Sequence, residues 1–201
     1  MELIKKLVAT FLTVLLLSGC GGMSTGVSIG DKEIKASEIQ KSVDEILTAR
    51  NNVDTSQMQL IDGPELLRTQ AQFVIISQLL DQIAIDKKLT INQTDVGARK
   101  ADIISSIGGE SELPKALVGA SLATSNFDAY LRILIISERL NSDLVATGMP
   151  QEQATEEVTK LVTLAATKLG VKVNAKYGKW NPATASIEVG DATGGAVTPL
   201  P

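Results

Sequence analysis

Apolar residues recur at helical spacing along most of this chain, and polar stretches containing glycine or proline separate the runs. The strongest run covers 64–88, where apolar positions occupy more than one side and predict a central helix that several neighbours contact. Other helices are predicted from Ser37 onward, from Asn92 to about 107, over 111–118, from Ser125 to Gly148 and from Pro150 to Gly170. In the last of these, the inward residues are expected to be Val158, Leu161, Val162, Leu164, Ala165 and Leu169. The pattern predicts a mainly α-helical fold.

Both ends of this helical region have short β-type patterns. Residues 27–34 carry apolar side chains on either side of a Gly-Asp pair, which predicts a short strand followed by a tight turn. Residues 171–173 alternate in the same way and predict a C-terminal strand. The segment 183–201 is rich in alanine, threonine, glycine and proline, so we predict a disordered tail there.

Polar residues mark where several helices begin. Asn92 with Asp95 three residues later predicts a reciprocal capping arrangement. Ser37 is predicted to be the N-cap of the first helix, and Ser125, with Asp128 at the third position, that of the long helix after residue 125.

The first twenty residues have the pattern of an export signal. Lys5 and Lys6 precede an apolar run that ends in small residues, and the run is too short for a stable membrane span. The sequence 17–20, Leu-Ser-Gly-Cys, resembles the lipobox of bacterial lipoproteins; an ordinary secretory signal with a chance cysteine is the alternative. The resemblance implies cleavage after residue 19 and acylation of Cys20. Residues 20–26 then form the lipidated cysteine and a glycine-rich flexible tether.

The amino-acid composition excludes several kinds of catalytic and metal-binding site. The chain has no histidine and one cysteine, which excludes a Ser-His-Asp triad, a Cys-His pair, a histidine-ligated metal and an internal disulfide. A net charge of −4 and an aromatic content of 3% are unfavourable for nucleic-acid binding. We therefore expect no metal, no cofactor and no nucleic-acid partner.

The order of these segments resembles a known family. The strand-turn 27–34, the long apolar helix ending at 89–96, and the glycine-broken helix leading to 127–132 are similar to the N-terminal chaperone module of the SurA/PrsA family. The ending 171–182 resembles the terminal segment of the same proteins, which returns to that module. The resemblance implies a single SurA N-terminal-like helical domain over 27–182.

The chain also departs from this family. SurA-like and PrsA-like proteins usually carry a parvulin prolyl-isomerase domain between the long helix and the C-terminal helix, whereas here 147–150 joins the two directly. Parvulin sites resemble one another in using histidines, which this chain lacks. The resemblance therefore implies no isomerase activity and no enzyme.

Five aromatic residues and one methionine are candidates for contact with a bound polypeptide. Phe73, Phe127, Tyr130 and Met58 could line a groove, although core positions are the simpler interpretation for both phenylalanines. Tyr177 and Trp180 lie outside the main helices, and could either contact a client or fix the C-terminal segment to the helical body.

These observations predict a lipoprotein on the extracytoplasmic face of the cell membrane, held there by its acyl chains. It is expected to be a non-enzymatic chaperone that holds unfolded exported polypeptides without a cofactor. The alternative is an interaction or scaffold lipoprotein with one dedicated folded partner. A prolyl isomerase is the least favoured function.

Overall fold

The computed structural model describes residues 24–190. The helices are α1 Ala36–Arg50, α2 Gly63–Asp86, α3 Gln93–Ser106, α4 Leu113–Gly119, α5 Phe127–Ala146 and α6 Gln151–Leu169. The strands are β1 Thr25–Ile29, β2 Lys32–Lys35, β3 Val171–Val173, β4 Lys179–Asn181 and β5 Ser186–Glu188. Short 3-10 turns occupy Glu110–Glu112, Thr124–Asn126 and Ala175–Tyr177. The predicted fold class, mainly α with short strands at both ends, is confirmed.

Helix α2 is the centre of the molecule, as its apolar pattern predicts. Leu66, Phe73, Ile75 and Leu80 each belong to, or pack against, a different one of the four hydrophobic clusters in the described part of the chain. Burying each such side chain stabilises the fold by about 1.5–3 kcal/mol. A helix with apolar residues on several sides is satisfied only when neighbours surround it.

Strand β1 joins the two ends of the described chain. It pairs antiparallel with β2 across the predicted tight turn, with Val27 opposite Ile34. On its other side it pairs antiparallel with β3, with Val27 opposite Val173. The buried Val27, Ile29 and Ile34 carry this sheet onto α2. A hydrogen at Gly26 is required here, because a Cβ atom would lie 2.8 Å from Ile39 Cδ1 and 3.0 Å from the Tyr177 hydroxyl.

Only one of the three predicted N-caps is confirmed. Asn92 and Asp95 form the full reciprocal capping arrangement of α3. The Ser37 prediction is wrong, because α1 already begins at Ala36 and Lys35 takes the cap position. The Ser125 prediction is also wrong: its backbone N–H and hydroxyl donate to the Glu45 carboxylate, at 2.9 and 2.6 Å. A carboxylate from α1 competes successfully for this serine, so α5 begins two residues later.

The expected boundaries at both ends are corrected. Thr25 and Gly26 belong to β1, so they are not part of a flexible tether. Residues 183–190 are not a disordered tail, since β5 lies there and Ala185 and Ile187 are buried. The signal segment 1–19, Cys20, residues 21–23 and the remainder of the tail, 191–201, lie outside the described residues.

Helix α6 packs through smaller residues than its sequence pattern predicts. Ala154 and Ala166 are its buried positions, and short side chains let the helix approach its neighbours closely. Leu164, which was expected to point inward, is 63% exposed. The remaining predicted inward residues, Val158, Leu161, Val162, Ala165 and Leu169, are half-buried against two clusters.

Candidate functional site

A small apolar groove opens between α2, the turn after α4, and α5. Its volume is about 270 Å³, and its lining is Thr69, Gln70, Phe73, Ala120, Ser121, Leu122 and Tyr130. None of these side chains is charged, so the groove presents hydrocarbon and neutral polar atoms. We call this the α2–α5 groove. Its volume is slightly below the range of about 300–1,000 Å³ that is usual for drug-sized ligands, and it leaves room for apolar side chains.

The aromatic residues of the groove rest on a buried base. Phe73 and Tyr130 are half-buried and pack against the cluster formed around Leu122, Phe127 and Leu131. This support fixes the two rings while leaving part of each exposed. Phe127 itself is in the core beneath them, and Lys100 Nζ lies 5.9 Å from its ring centroid.

A polar contact holds the turn that forms one wall of the groove. Gln70 Nε2 donates to the Ser121 carbonyl at 2.9 Å, and Gln70 is only 1% exposed. Ser121 adopts a φ of 50°, a left-handed conformation that costs an L-residue of this kind about 1–2 kcal/mol. Gln70 Oε1 is buried and has no hydrogen-bond partner in the described part of the chain. The hydrogen bond from Gln70 therefore holds the wall in a backbone conformation that serine disfavours, and it leaves the other polar atom of the Gln70 amide without a partner in the described chain.

The structure separates the predicted contact residues into two groups. Phe73 and Tyr130 are brought together in the α2–α5 groove. Phe127 and Tyr177 are buried, which agrees with the core interpretation of Phe127 and corrects the alternative that the two residues contact a client directly. Trp180 is half-buried against the cluster beneath β1, which matches the alternative that it fixes the C-terminal segment. Met58 lies in the connection before α2 and is not part of the groove lining.

A second feature on α2 is the way it holds strands β4 and β5, which pair antiparallel with Trp180 opposite Ile187. We call residues 179–188 the C-terminal hairpin. Gln72 Nε2 donates to the Ala185 carbonyl and Gln72 Oε1 accepts from the Ile187 N–H, both at 2.8 Å. Arg68 Nε donates to the Tyr177 carbonyl at 3.2 Å. All three bonds reach backbone atoms of the C-terminal segment.

Sequence reasoning did not find Arg68, Gln70 or Gln72. The available signal was their position: three long polar side chains lie within five residues of a helix that is otherwise strongly apolar. Polar residues on several sides of a central helix need partners there. Their partners lie 51 to 115 residues away along the chain, so spacing alone could not identify them.

A wider cleft lies at the other end of α2, with a volume of about 650 Å³. Asp81 and Arg132 line it, and they are already paired with each other at 2.8 Å. Arg132 also donates to the Ile91 carbonyl at 3.4 Å. These groups connect α2, α5 and the segment before α3, so the polar atoms of this cleft serve the fold.

The pKa shifts of Asp95, Asp86 and Tyr177 also have structural causes. The backbone N–H of Asn92 is the largest cause that lowers the pKa of the Asp95 carboxyl, and Arg139 lowers it further. Gln82 and then Lys168 lower the pKa of Asp86 in the same way. Burial raises the pKa of the Tyr177 hydroxyl. None of these three groups lies in the α2–α5 groove.

Within residues 24–190, no cluster of side chains is suited to hold a metal ion. In the same range, no helix is both long enough and apolar enough to cross a bilayer.

Comparisons with protein-family models, with curated proteins and with solved structures found no match to this chain. Fold and site therefore define it only by class. It is a mainly helical protein in which the first strand, β1, pairs with β3, the strand after the last helix, and in which the central helix borders an uncharged surface groove.

Proposed function

We propose that this protein is a membrane-anchored lipoprotein that holds unfolded exported polypeptides through the α2–α5 groove. The observation that carries the proposal is an uncharged surface groove in which Phe73, Leu122 and Tyr130 are supported from beneath. Apolar side chains are exposed in unfolded polypeptides and buried in folded ones. An uncharged, largely apolar groove therefore favours unfolded clients without reading their sequence.

Membership of the SurA/PrsA family is part of this proposal. The pairing of β3 beside β1 supports it, because the resemblance implies a terminal segment that returns to the N-terminal module. The direct connection of α5 to α6 through 147–150 leaves no room for an inserted isomerase domain at that point. With no histidine in the chain, holding a client is the function we propose, and isomerisation is not.

The anchor in this proposal is Cys20, acylated after cleavage of residues 1–19. One acyl chain binds a membrane weakly, whereas two or three hold a protein there. The proposed location is the extracytoplasmic face of the cell membrane, where newly exported chains are unfolded. Mass spectrometry of the protein extracted from membranes tests this step: acylation of Cys20 supports it, and an unmodified or absent Cys20 contradicts it.

The holding function is tested by the aggregation of a reduced, carboxymethylated polypeptide in the presence of the 21–201 chain. This chain retains every residue of the four core clusters, which lie between Val27 and Ile187. We expect suppression of aggregation at a few-fold molar excess. No suppression at such an excess contradicts the proposal.

The groove is tested by Thr69→Lys, which places a charge at its exposed rim without removing a core side chain. Because an apolar client would have to desolvate the ammonium, we expect suppression to weaken by about three- to tenfold. Thr159→Lys on α6 is the matched control, since Thr159 is exposed and its hydroxyl bonds only the Thr155 carbonyl of its own helix. Equal losses in both variants would show that the groove is not the site.

A pull-down from membrane extracts separates holding from scaffolding. A spread of exported proteins supports the proposal. A single folded partner in stoichiometric amount would instead identify a dedicated interaction lipoprotein.

A further inference from the structure

We propose that the face of α2 beneath the C-terminal hairpin is a second binding site for extended polypeptide, and that the chain's own hairpin occupies it until a client displaces it. This inference rests on the proposed holding function. It adds a named site, a class of ligand and a competing occupant.

The bonds that hold the hairpin recognise backbone alone. Gln72 donates to the carbonyl of Ala185, the turn residue before β5, and accepts from the Ile187 N–H, so its two bonds flank Ser186. One residue of a parallel strand bonds its neighbour in this same way. The Gln72 amide thus acts as a one-residue strand, and any extended segment with a free edge can satisfy it, as in recognition by strand addition.

The packing of the hairpin on α2 has a simple pattern. Ile187 is buried in the cluster that also contains Ala71 and Ile75, whereas Ser186 is half-buried and Glu188 is exposed. The ligand we infer is therefore an extended segment in which an aliphatic side chain is flanked by polar ones. Such alternating segments are the strands of proteins that have not yet folded.

The hairpin is held weakly enough to be displaced. Its strands are three residues each, and a two-stranded hairpin of this kind is marginal by itself. Ala185 has a φ of 49°, which strains a residue with a side chain. Ala185 and Ile187 belong to the same cluster as Tyr177 but are less deeply buried, at 4% and 8% exposed against 1%.

Gly178, with a φ of 125°, is the junction between the fixed and the displaceable parts. A Cβ atom here would lie 2.1 Å from the Glu188 carbonyl oxygen. The closed hairpin therefore depends on glycine at this junction. We infer that residues 179–190 move about Gly178 while β3 and Tyr177 remain in place.

The two sites adjoin on α2. Gln72 and Phe73 are successive residues, so they project about 100° apart on the same helical turn. One faces the hairpin and the other lines the α2–α5 groove. A client that places an apolar side chain in the groove brings its neighbouring backbone towards Gln72, where it competes with β5.

The first experiment loosens the hairpin and leaves α2 unchanged. The probe is a fluorescein-labelled peptide with the sequence of residues 183–190, titrated into Ile187→Ala in the 21–201 chain. Loss of a buried isoleucine side chain shifts the open-to-closed ratio about thirtyfold or more, and the apparent affinity follows the open fraction. The control is Val189→Ala, at a residue 74% exposed in the same segment.

We expect Ile187→Ala to bind the peptide at least threefold more tightly than Val189→Ala does. A smaller difference overturns the inference. Should Ile187→Ala not fold, the unsubstituted chain gives the answer: saturating peptide must accelerate hydrogen exchange at the Ile187 amide. Unchanged or slower exchange there also overturns it.

The second experiment tests the backbone contact itself. It uses Gly178→Ala as the background, because the Cβ atom there would lie 2.1 Å from the Glu188 carbonyl oxygen and keeps the hairpin open. Adding Gln72→Ala then removes two bonds to the bound peptide without changing the open fraction, and we expect affinity to fall about tenfold. Gln82→Ala is the matched control, because this glutamine of the same helix bonds only Asp86 in the described chain. Equal affinities with either glutamine variant contradict a role for Gln72.

The two proposals fail separately. If the chain suppresses aggregation but Ile187→Ala gains no affinity for the peptide, the holding function stands and the second site is wrong. If aggregation is not suppressed but the peptide binds as expected, the second site stands and the holding function is wrong.

Discussion

The two tyrosines of this protein lie in regions of opposite character. Tyr177 is enclosed where β1, α1 and α2 meet, in a cluster that joins both ends of the described chain. Tyr130 is half-exposed in the α2–α5 groove, beside a turn with a left-handed serine. The first region is closely packed, since a Cβ atom on Gly26 would lie 3.0 Å from the Tyr177 hydroxyl. The second is supported from beneath and open above. The difference indicates that close packing is concentrated at the sheet, while uncharged open surface lies at the groove.

The largest predicted effect compares the two tyrosines directly. Tyr177→Ala removes a buried aromatic side chain, so we expect the free energy of unfolding to fall by about 3–5 kcal/mol. Tyr130→Ala removes a half-exposed ring, and a loss of about 1 kcal/mol is expected from the smaller area buried. Urea denaturation of both variants measures this. Similar losses would mean that the groove is as important for stability as the sheet.

Two glycine substitutions give the next comparison, because we expect them to change the free energy of unfolding in opposite directions. In Gly26→Ala the new methyl meets Ile39, Tyr177 and the backbone of Ala36, and we expect a loss of about 1–3 kcal/mol. Gly97 lies within α3, and a Cβ there meets nothing within 4 Å. Gly97→Ala should therefore gain about 0.5–1 kcal/mol from helix propensity. Thermal unfolding measures both, and a stable Gly26→Ala chain would contradict the close packing described for β1.

At the groove, relieving backbone strain should stabilise the protein and loosen the site. Ser121 has a φ of 50°, which glycine adopts without penalty, so Ser121→Gly should gain up to about 1 kcal/mol. The same change frees the wall, and we expect weaker suppression of client aggregation. Stability and holding are measured on one preparation. A gain in both would show that the strained wall does not shape the groove.

The smallest effect concerns the hydroxyl of Tyr177. It is buried and has no hydrogen-bond partner in the described chain, so Tyr177→Phe should be neutral or stabilising by about 1 kcal/mol.

The same substitution isolates a dependence on pH. Burial raises the folded-state pKa of Tyr177 above its unfolded value of about 10. The neutral phenol is thus favoured in the folded state, and its contribution is complete below pH 10 and lost as pH rises through the folded-state pKa. Tyr177→Phe should lose less stability above pH 10 than the unsubstituted chain does. Parallel pH profiles for the two would contradict this burial.

Features whose partners lie close along the chain could be predicted from the sequence, whereas features whose partners lie far along the chain could not. The turn between β1 and β2 and the Asn92–Asp95 cap are local, and both were predicted because their partners lie within a few residues. Ser125 was assigned wrongly because its partner, Glu45, is 80 residues away.

The C-terminal hairpin was missed for the same reason. Its own sequence has few apolar residues, and it is ordered by Gln72, more than a hundred residues earlier. Two of the seven residues that line the candidate groove, Phe73 and Tyr130, are predicted from aromatic type alone. The turn at Ser121 is not, because nothing local in the sequence indicates its left-handed backbone.

The position of β1 has a further consequence if Cys20 carries the proposed anchor. Thr25, the first residue of β1, follows Cys20 by five positions, and a fully extended chain of that length reaches only about 17 Å. The sheet would then lie within about 17 Å of the lipid headgroups, which limits how far the folded part of the protein can move from the bilayer. The protein would meet its clients close to the membrane surface, at the point where exported chains emerge.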